Sequence, residues 1–97
     1  MYIKNDKIGK QPFNKLNVVK LAKTDALEIL SISLEKDAIF PEHSSPSDAH
    51  LIMLEGDMVF YINDKEFQLK NGQYFSFPKE EKHWVRANEN SKFLIIR

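Results

Sequence analysis

An all-β sandwich or barrel is the fold class this sequence predicts, and three observations predict it. Turn-forming clusters recur at short intervals, the apolar runs between them are too short for stable helices, and those runs favour β-branched and aromatic residues. With 97 residues, 42% of them hydrophobic, the chain has material for one modest core and none for a second domain, so residues 1–97 are read as a single unit.

Each element follows from its own stretch. Residues 1–15, "MYIKNDKIGKQPFNK", carry a charge every few positions and read as an arm that frays or pairs with a sheet edge. Between Leu16 and Leu34 the positions of Leu27, Leu30 and Leu34 fit a helical face, but "KTD" in the middle and the Ile/Ser alternation of "LEILSISL" favour two strands. "AHLIML" is apolar on both faces, with Ala49, Leu51 and Met53 on one and His50, Ile52 and Leu54 on the other, so this strand needs cover on both sides. "NDK" separates "MVFYI" from "FQLK", as a hairpin turn does. Gly72 permits a tight turn into "QYFSF", Pro78 stops that strand, and His83 opens "HWVRA". There His83, Val85 and Ala87 share one face, leaving Trp84 and Arg86 for the other, as outer-sheet packing or a subunit interface. "FLIIR" supplies the last strand, and Phe60, Tyr61, Phe67, Tyr74, Phe75 and Phe77 are expected to fill the core.

Composition removes several function classes. Fourteen basic residues balance fourteen acidic ones, which leaves no broad positive footprint for a phosphate backbone, and nucleic acid is excluded as a partner on that ground. The chain has no cysteine, hence no disulfide, thiolate chemistry or cysteine-based zinc site. No window reaches the apolar length of a membrane span, and the N-terminal stretch has no apolar signal core, so a cytoplasmic protein without membrane contact is expected. There is no G-x-S-x-G elbow, phosphate-cradling glycine loop or H-E-x-x-H. What remains is histidine: two histidines on separate strand starts can converge across a barrel mouth, and His43 lies in the loop between Pro41 and Pro46.

These residues resemble the cupins, small β-barrels of jelly-roll type, also called double-stranded β-helices. The family's first motif, G-x5-H-x-H-x3,4-E-x6-G, falls on Asp37 to Gly56, and its second, G-x5-P-x-G-x2-H-x3-N, on Gly72 to Ala87, with 15 residues between them. The resemblance covers about Leu27 to Arg97, taken as the core barrel. Gly56, Gly72, Pro78, His43 and His83 are in place, whereas Asp37 and Glu80 stand at glycine positions, Ser45 at the second histidine, Ala49 at the glutamate and Ala87 at the asparagine.

In metal-holding cupins the two histidines and the glutamate of the first motif and the histidine of the second bind iron, manganese, nickel or zinc. Carried over, this leaves His43 and His83 as metal ligands, with His50 as a weaker third that the strand period turns to the opposite face. The resemblance therefore implies a degenerate metal site. The expected function is binding of a small organic ligand without catalysis, in a pocket formed by His43, Ser45, Ala49, Leu51, Met53, His83 and Val85, in a homodimer that pairs through sheet edges or exchanges "PFNKLNVVKLA". The alternative is a metal-dependent enzyme of oxygenase or isomerase type, using His43, His83 and a third ligand from His50, Glu42 or Glu81 with a divalent Zn, Mn, Fe or Ni. Beside both stands a plainer expectation, that His43 is a solvated or backbone-bonded loop residue and His83 caps a turn.

Overall fold

The computed structural model describes residues 1–97. One short helix, α1 (Lys7–Lys10), precedes nine strands: β1 (Leu16–Lys23), β2 (Glu28–Leu34), β3 (Ile39–His43), β4 (Ala49–Glu55), β5 (Asp57–Ile62), β6 (Lys65–Lys70), β7 (Tyr74–Phe77), β8 (His83–Ala87) and β9 (Ser91–Ile96). They form two antiparallel sheets, ordered β1-β2-β9-β4-β7 and β3-β8-β5-β6. The segment from Leu16 to Leu34 is the pair of strands that the Ile/Ser alternation predicts, and no helix is long and apolar enough to cross a membrane.

The alternation sorts side chains as the period of two requires. Ile32, Leu34, Leu51, Met53, Phe93 and Ile95 of the first sheet meet Met58, Phe60, Leu69 and Val85 of the second in one buried cluster. The interleaved serines face outward yet are also buried, because the N-terminal arm lies over them. Gln11 donates from Nε2 to the Ser31 carbonyl at 2.9 Å and accepts from Ser31 Oγ at 2.5 Å, while Ser33 Oγ donates to Pro12 O at 2.7 Å. Lys92, on the same face, donates to Ile8 O at 2.7 Å and passes over the Phe13 ring. The arm is thus fixed by its polar contacts to the outer face of the first sheet, and β1 pairs with β2 of its own chain.

Turn chemistry explains the connections. Asn63 and Asp64 both have positive φ, the geometry of a two-residue hairpin turn between β5 and β6. Gly56 has φ 106°, and a side chain there would meet Ser91 Cα at 2.5 Å and Asn90 O at 2.6 Å, so glycine is required by both conformation and space. Asp37 (φ 70°) and Glu80 (φ 68°) adopt the left-handed region without being glycine.

Candidate functional site

Two histidines meet at one mouth of the barrel. His43 ends β3 and His83 begins β8, and the antiparallel register pairs them directly. Their Nε2 atoms are 3.1 Å apart and their rings meet edge to face, with centroids 4.3 Å apart. His43 lies flat on Phe40, and His83 is enclosed by Phe60 and Phe77.

Backbone carbonyls decide which nitrogens carry hydrogen. His43 Nδ1 is 2.7 Å from Pro41 O and His83 Nδ1 is 3.0 Å from Glu81 O, and a carbonyl only accepts, so both Nδ1 atoms donate. In the neutral pair each Nε2 is then a bare lone pair, with the two nitrogens 3.1 Å apart. Each Nε2 can accept a hydrogen, from an added proton or from a bound molecule. Burial holds the His83 imidazole below its ordinary value, opposed by the Glu81 carbonyl and assisted by the positive potential of His43 and Arg97.

Beside the pair, a cavity of about 310 Å³ opens between the sheets. Val18, Leu30, Ile32, Phe93 and Ile95 wall it on one side and Phe40, Phe60 and Val85 on the other; Ser44, Ser45 and Pro46 of the β3–β4 loop and Arg97 complete the rim. No aspartate or glutamate lines it.

Of the pocket expected from sequence, His43, Ser45, His83 and Val85 line this cavity. Ala49, Leu51 and Met53 do not, which corrects that expectation: they point inward and are fully buried, but the rings of Phe60, Phe75 and Phe77, 4.9 to 6.2 Å apart, fill the interior in front of β4. The open space falls on the β1–β2–β9 side instead. His50 is on the outer face, where Nδ1 meets Tyr74 Oη at 2.5 Å, so it does not join the pair. Glu42 lines a separate outer groove with Tyr61 and Trp84, which stack at 3.8 Å, and Glu81 reaches His83 only with its backbone carbonyl. Arg97 is the residue that sequence reasoning missed, although "FLIIR" places it two positions after Ile95 and four after Phe93, on the inward face.

The donor set does not fit a four-ligand metal centre. Ser45 Oγ is engaged with Ser47 O at 2.6 Å, Ala49 offers no donor atom, and no three His, Cys, Asp or Glu side chains cluster anywhere in the chain. Two imidazoles remain, with a guanidinium rather than a carboxylate in the same wall.

Comparison with known proteins agrees with the fold. The sequence profile of the cupin domain matches residues 30–96. The chain belongs to the cupin family. Cupin structures from several microbes superpose on it, among them an RmlC-like cupin from Desulfovibrio desulfuricans, 20% identical with a TM-score of 0.84, covering 98% of this chain and 95% of that one. Another is an RmlC-like cupin with a double-stranded β-helix fold from Methanocaldococcus jannaschii, 25% identical with a TM-score of 0.81, covering 91% and 84%. KdgF from a Halomonas species is 17% identical with a TM-score of 0.74, covering 84% and 76%. No curated protein matches the sequence. As a cupin this chain keeps the barrel and both glycine turns, and it fills the Asp37 and Glu80 turns without glycine.

Proposed function

We propose that this cupin binds a small organic molecule in the cavity between its sheets, without a catalysed reaction, and that His43 and His83 anchor its polar end. The single observation that carries the reading is the junction of two features: a mostly apolar cavity of ligand size that opens between the sheets, and two Nε2 acceptors 3.1 Å apart at its edge. A ligand O–H or N–H that reaches either Nε2 supplies the donor that the neutral pair lacks, so binding is favoured by the site's own hydrogen-bonding capacity.

The metal-enzyme alternative shares His43 and His83 but finds no third side-chain ligand, since His50 and Glu42 are directed elsewhere and Glu81 does not line the cavity. Association as a homodimer accompanies the binding reading. The outer face of the first sheet sets Val19, Leu94, Ile52 and Tyr74 in one cross-strand row, interrupted only by Ser31, with Ile29, Ile96 and His50 in the next. A face of that kind supports pairing with a second copy.

The test is a thermal-shift screen of small organic molecules against the intact chain and a cavity-filled variant, Leu30→Trp. Compounds that raise the melting temperature of the first and leave the second unmoved support the reading. Compounds that stabilise both equally bind elsewhere and count against it.

A further inference from the structure

The cavity wall contains one fixed charge, and it is positive. Arg97 follows β9 on the inward face after Phe93 and Ile95, and it lines the same cavity as the histidine pair. Its Nε donates to Glu28 Oε1 at 2.9 Å, and the backbone of the two residues is joined in both directions, Arg97 N to Glu28 O at 3.0 Å and Glu28 N to Arg97 O at 2.6 Å. The side chain is thereby held in place through Nε alone. Neither terminal amino group donates a hydrogen bond to any protein atom.

Glu28 does not cancel the charge at the rim. Its carboxylate is shared with Lys20 at 3.3 Å and Lys23 at 3.9 Å, so three cations surround one anion. Asp25 and Glu28 border the neighbouring surface groove, and neither lines the cavity. A guanidinium held to Glu28 through Nε, with both terminal amino groups free on a cavity wall that contributes no carboxylate of its own, selects an oxyanion on an apolar body.

We infer that the molecule bound in the barrel is a small organic acid, its carboxylate received by the free amino groups of Arg97 and its apolar part lying between Leu30, Ile32, Phe60 and Ile95. This rests on the binding reading above and adds the ligand's charge to it. Binding strength and selectivity separate accordingly: the apolar wall retains any compound of suitable size, and Arg97 discriminates acid from neutral.

The probes are hexanoate and 1-hexanol, which share an apolar chain and differ in charge, titrated into the intact protein at neutral pH and followed by 1H–15N NMR. Expected are shifts at Leu30, Ile95 and Arg97 with both, and roughly tenfold or greater preference for hexanoate, the worth of a charge-assisted hydrogen bond. Arg97→Met should abolish the preference and leave hexanol binding in place, and Arg97→Lys, which keeps the charge, should retain part of it. Equal affinity for the two probes, a preference that survives Arg97→Met, or hexanoate shifts confined to Lys20 and Lys23 would overturn the acid inference while leaving the pocket standing, provided hexanol still moves the cavity residues. Failure of both probes to move those residues would overturn the pocket reading and the acid inference together.

Discussion

His43 and His83 face each other across adjacent strands with their Nε2 atoms 3.1 Å apart and each Nδ1 committed to a carbonyl of its own strand-end turn. The backbone thus fixes both tautomers, and the site presents two neighbouring acceptors. Chemistry at this site depends on what hydrogen is brought to it.

Stability should depend on His83 in a definite pH window. Burial lowers its folded proton affinity, so the unfolded chain binds more protons between the folded value and the ordinary value near 6.5. Stability from this group is complete above about 6.5 and is lost as pH falls through that value towards the lower, folded one. Urea midpoints measured from pH 8 to pH 5 should decline in that interval, and His83→Gln should flatten the decline. Glu28 and Asp57, whose carboxyls are held low chiefly by hydrogen bonds from Arg97 and Asn88, lose their contributions at more acidic pH and leave the histidine window separate. A wild-type profile that is level between pH 7 and pH 5 would contradict the assignment.

Glu80 offers a test of the turn before β8. With φ at 68° it occupies a region that costs an ordinary residue about 1–2 kcal/mol, against which glycine's greater unfolded-state freedom offsets roughly 0.5–1 kcal/mol. Glu80→Gly should therefore be neutral or stabilising by up to about 1.5 kcal/mol, whereas Glu80→Val, β-branched at positive φ, should destabilise by about 1 kcal/mol or more. Chemical denaturation of both variants checks the ordering, and a stabilised valine variant would refute it.

The arm should contribute through Gln11. Its amide serves the Ser31 carbonyl and hydroxyl, both sealed from solvent, so Gln11→Ala strands them and should cost about 1–3 kcal/mol. Gln11→Ala paired with Ser31→Ala should cost less than the sum of the single changes, because the orphaned hydroxyl is gone. Equilibrium unfolding of the three variants measures the coupling, and strict additivity would show that the arm does not act through this contact.

Much of this was legible in the residues because period and punctuation are local. "LEILSISL" announced a strand with a polar outer row, and the spacing of Gly56, Gly72, Pro78 and the two histidines placed the cupin motifs. What sat on top of Ser31 and Ser33 was not legible, since covering an outer row depends on where a distant arm folds back. The pocket was misplaced for the same kind of reason. Alternation tells which way Leu51 and Met53 point, but only packing tells that Phe75 and Phe77 use up the space before them and leave the opening beside β1 and β9. Arg97 lies beyond both cupin motifs, so only the alternation after Phe93 and Ile95 marks it.

Metal binding provides a direct contrast between the two readings of the histidine pair. Two neutral nitrogens beside a guanidinium give a divalent cation few ligands and no neutralising carboxylate. Protein purified without chelator, then equilibrated with excess Zn, Mn, Fe or Ni and desalted, should retain well under one equivalent by elemental analysis. One equivalent retained, and lost in His43→Ala, would establish the metal-dependent alternative.

Self-association should run through the outer face of the first sheet. The row Val19, Leu94, Ile52 and Tyr74 is aliphatic or aromatic, and Leu94 and Ile52 are only half-buried within one chain. The arm occupies the Ser31–Ser33–Lys92 end of this face and leaves the Ile96–His50 end open, so a partner copy would lie against the open part. Leu94 is at the centre of the row, and Leu94→Lys puts a charge where two copies would meet, a change that leaves the inward-facing core untouched. Sedimentation at micromolar concentration should give a dimer for the natural chain and a folded monomer for Leu94→Lys, with the cavity's response to hexanol unchanged. A natural chain that sediments as a monomer throughout, or a variant that still dimerises, would remove this face as the interface.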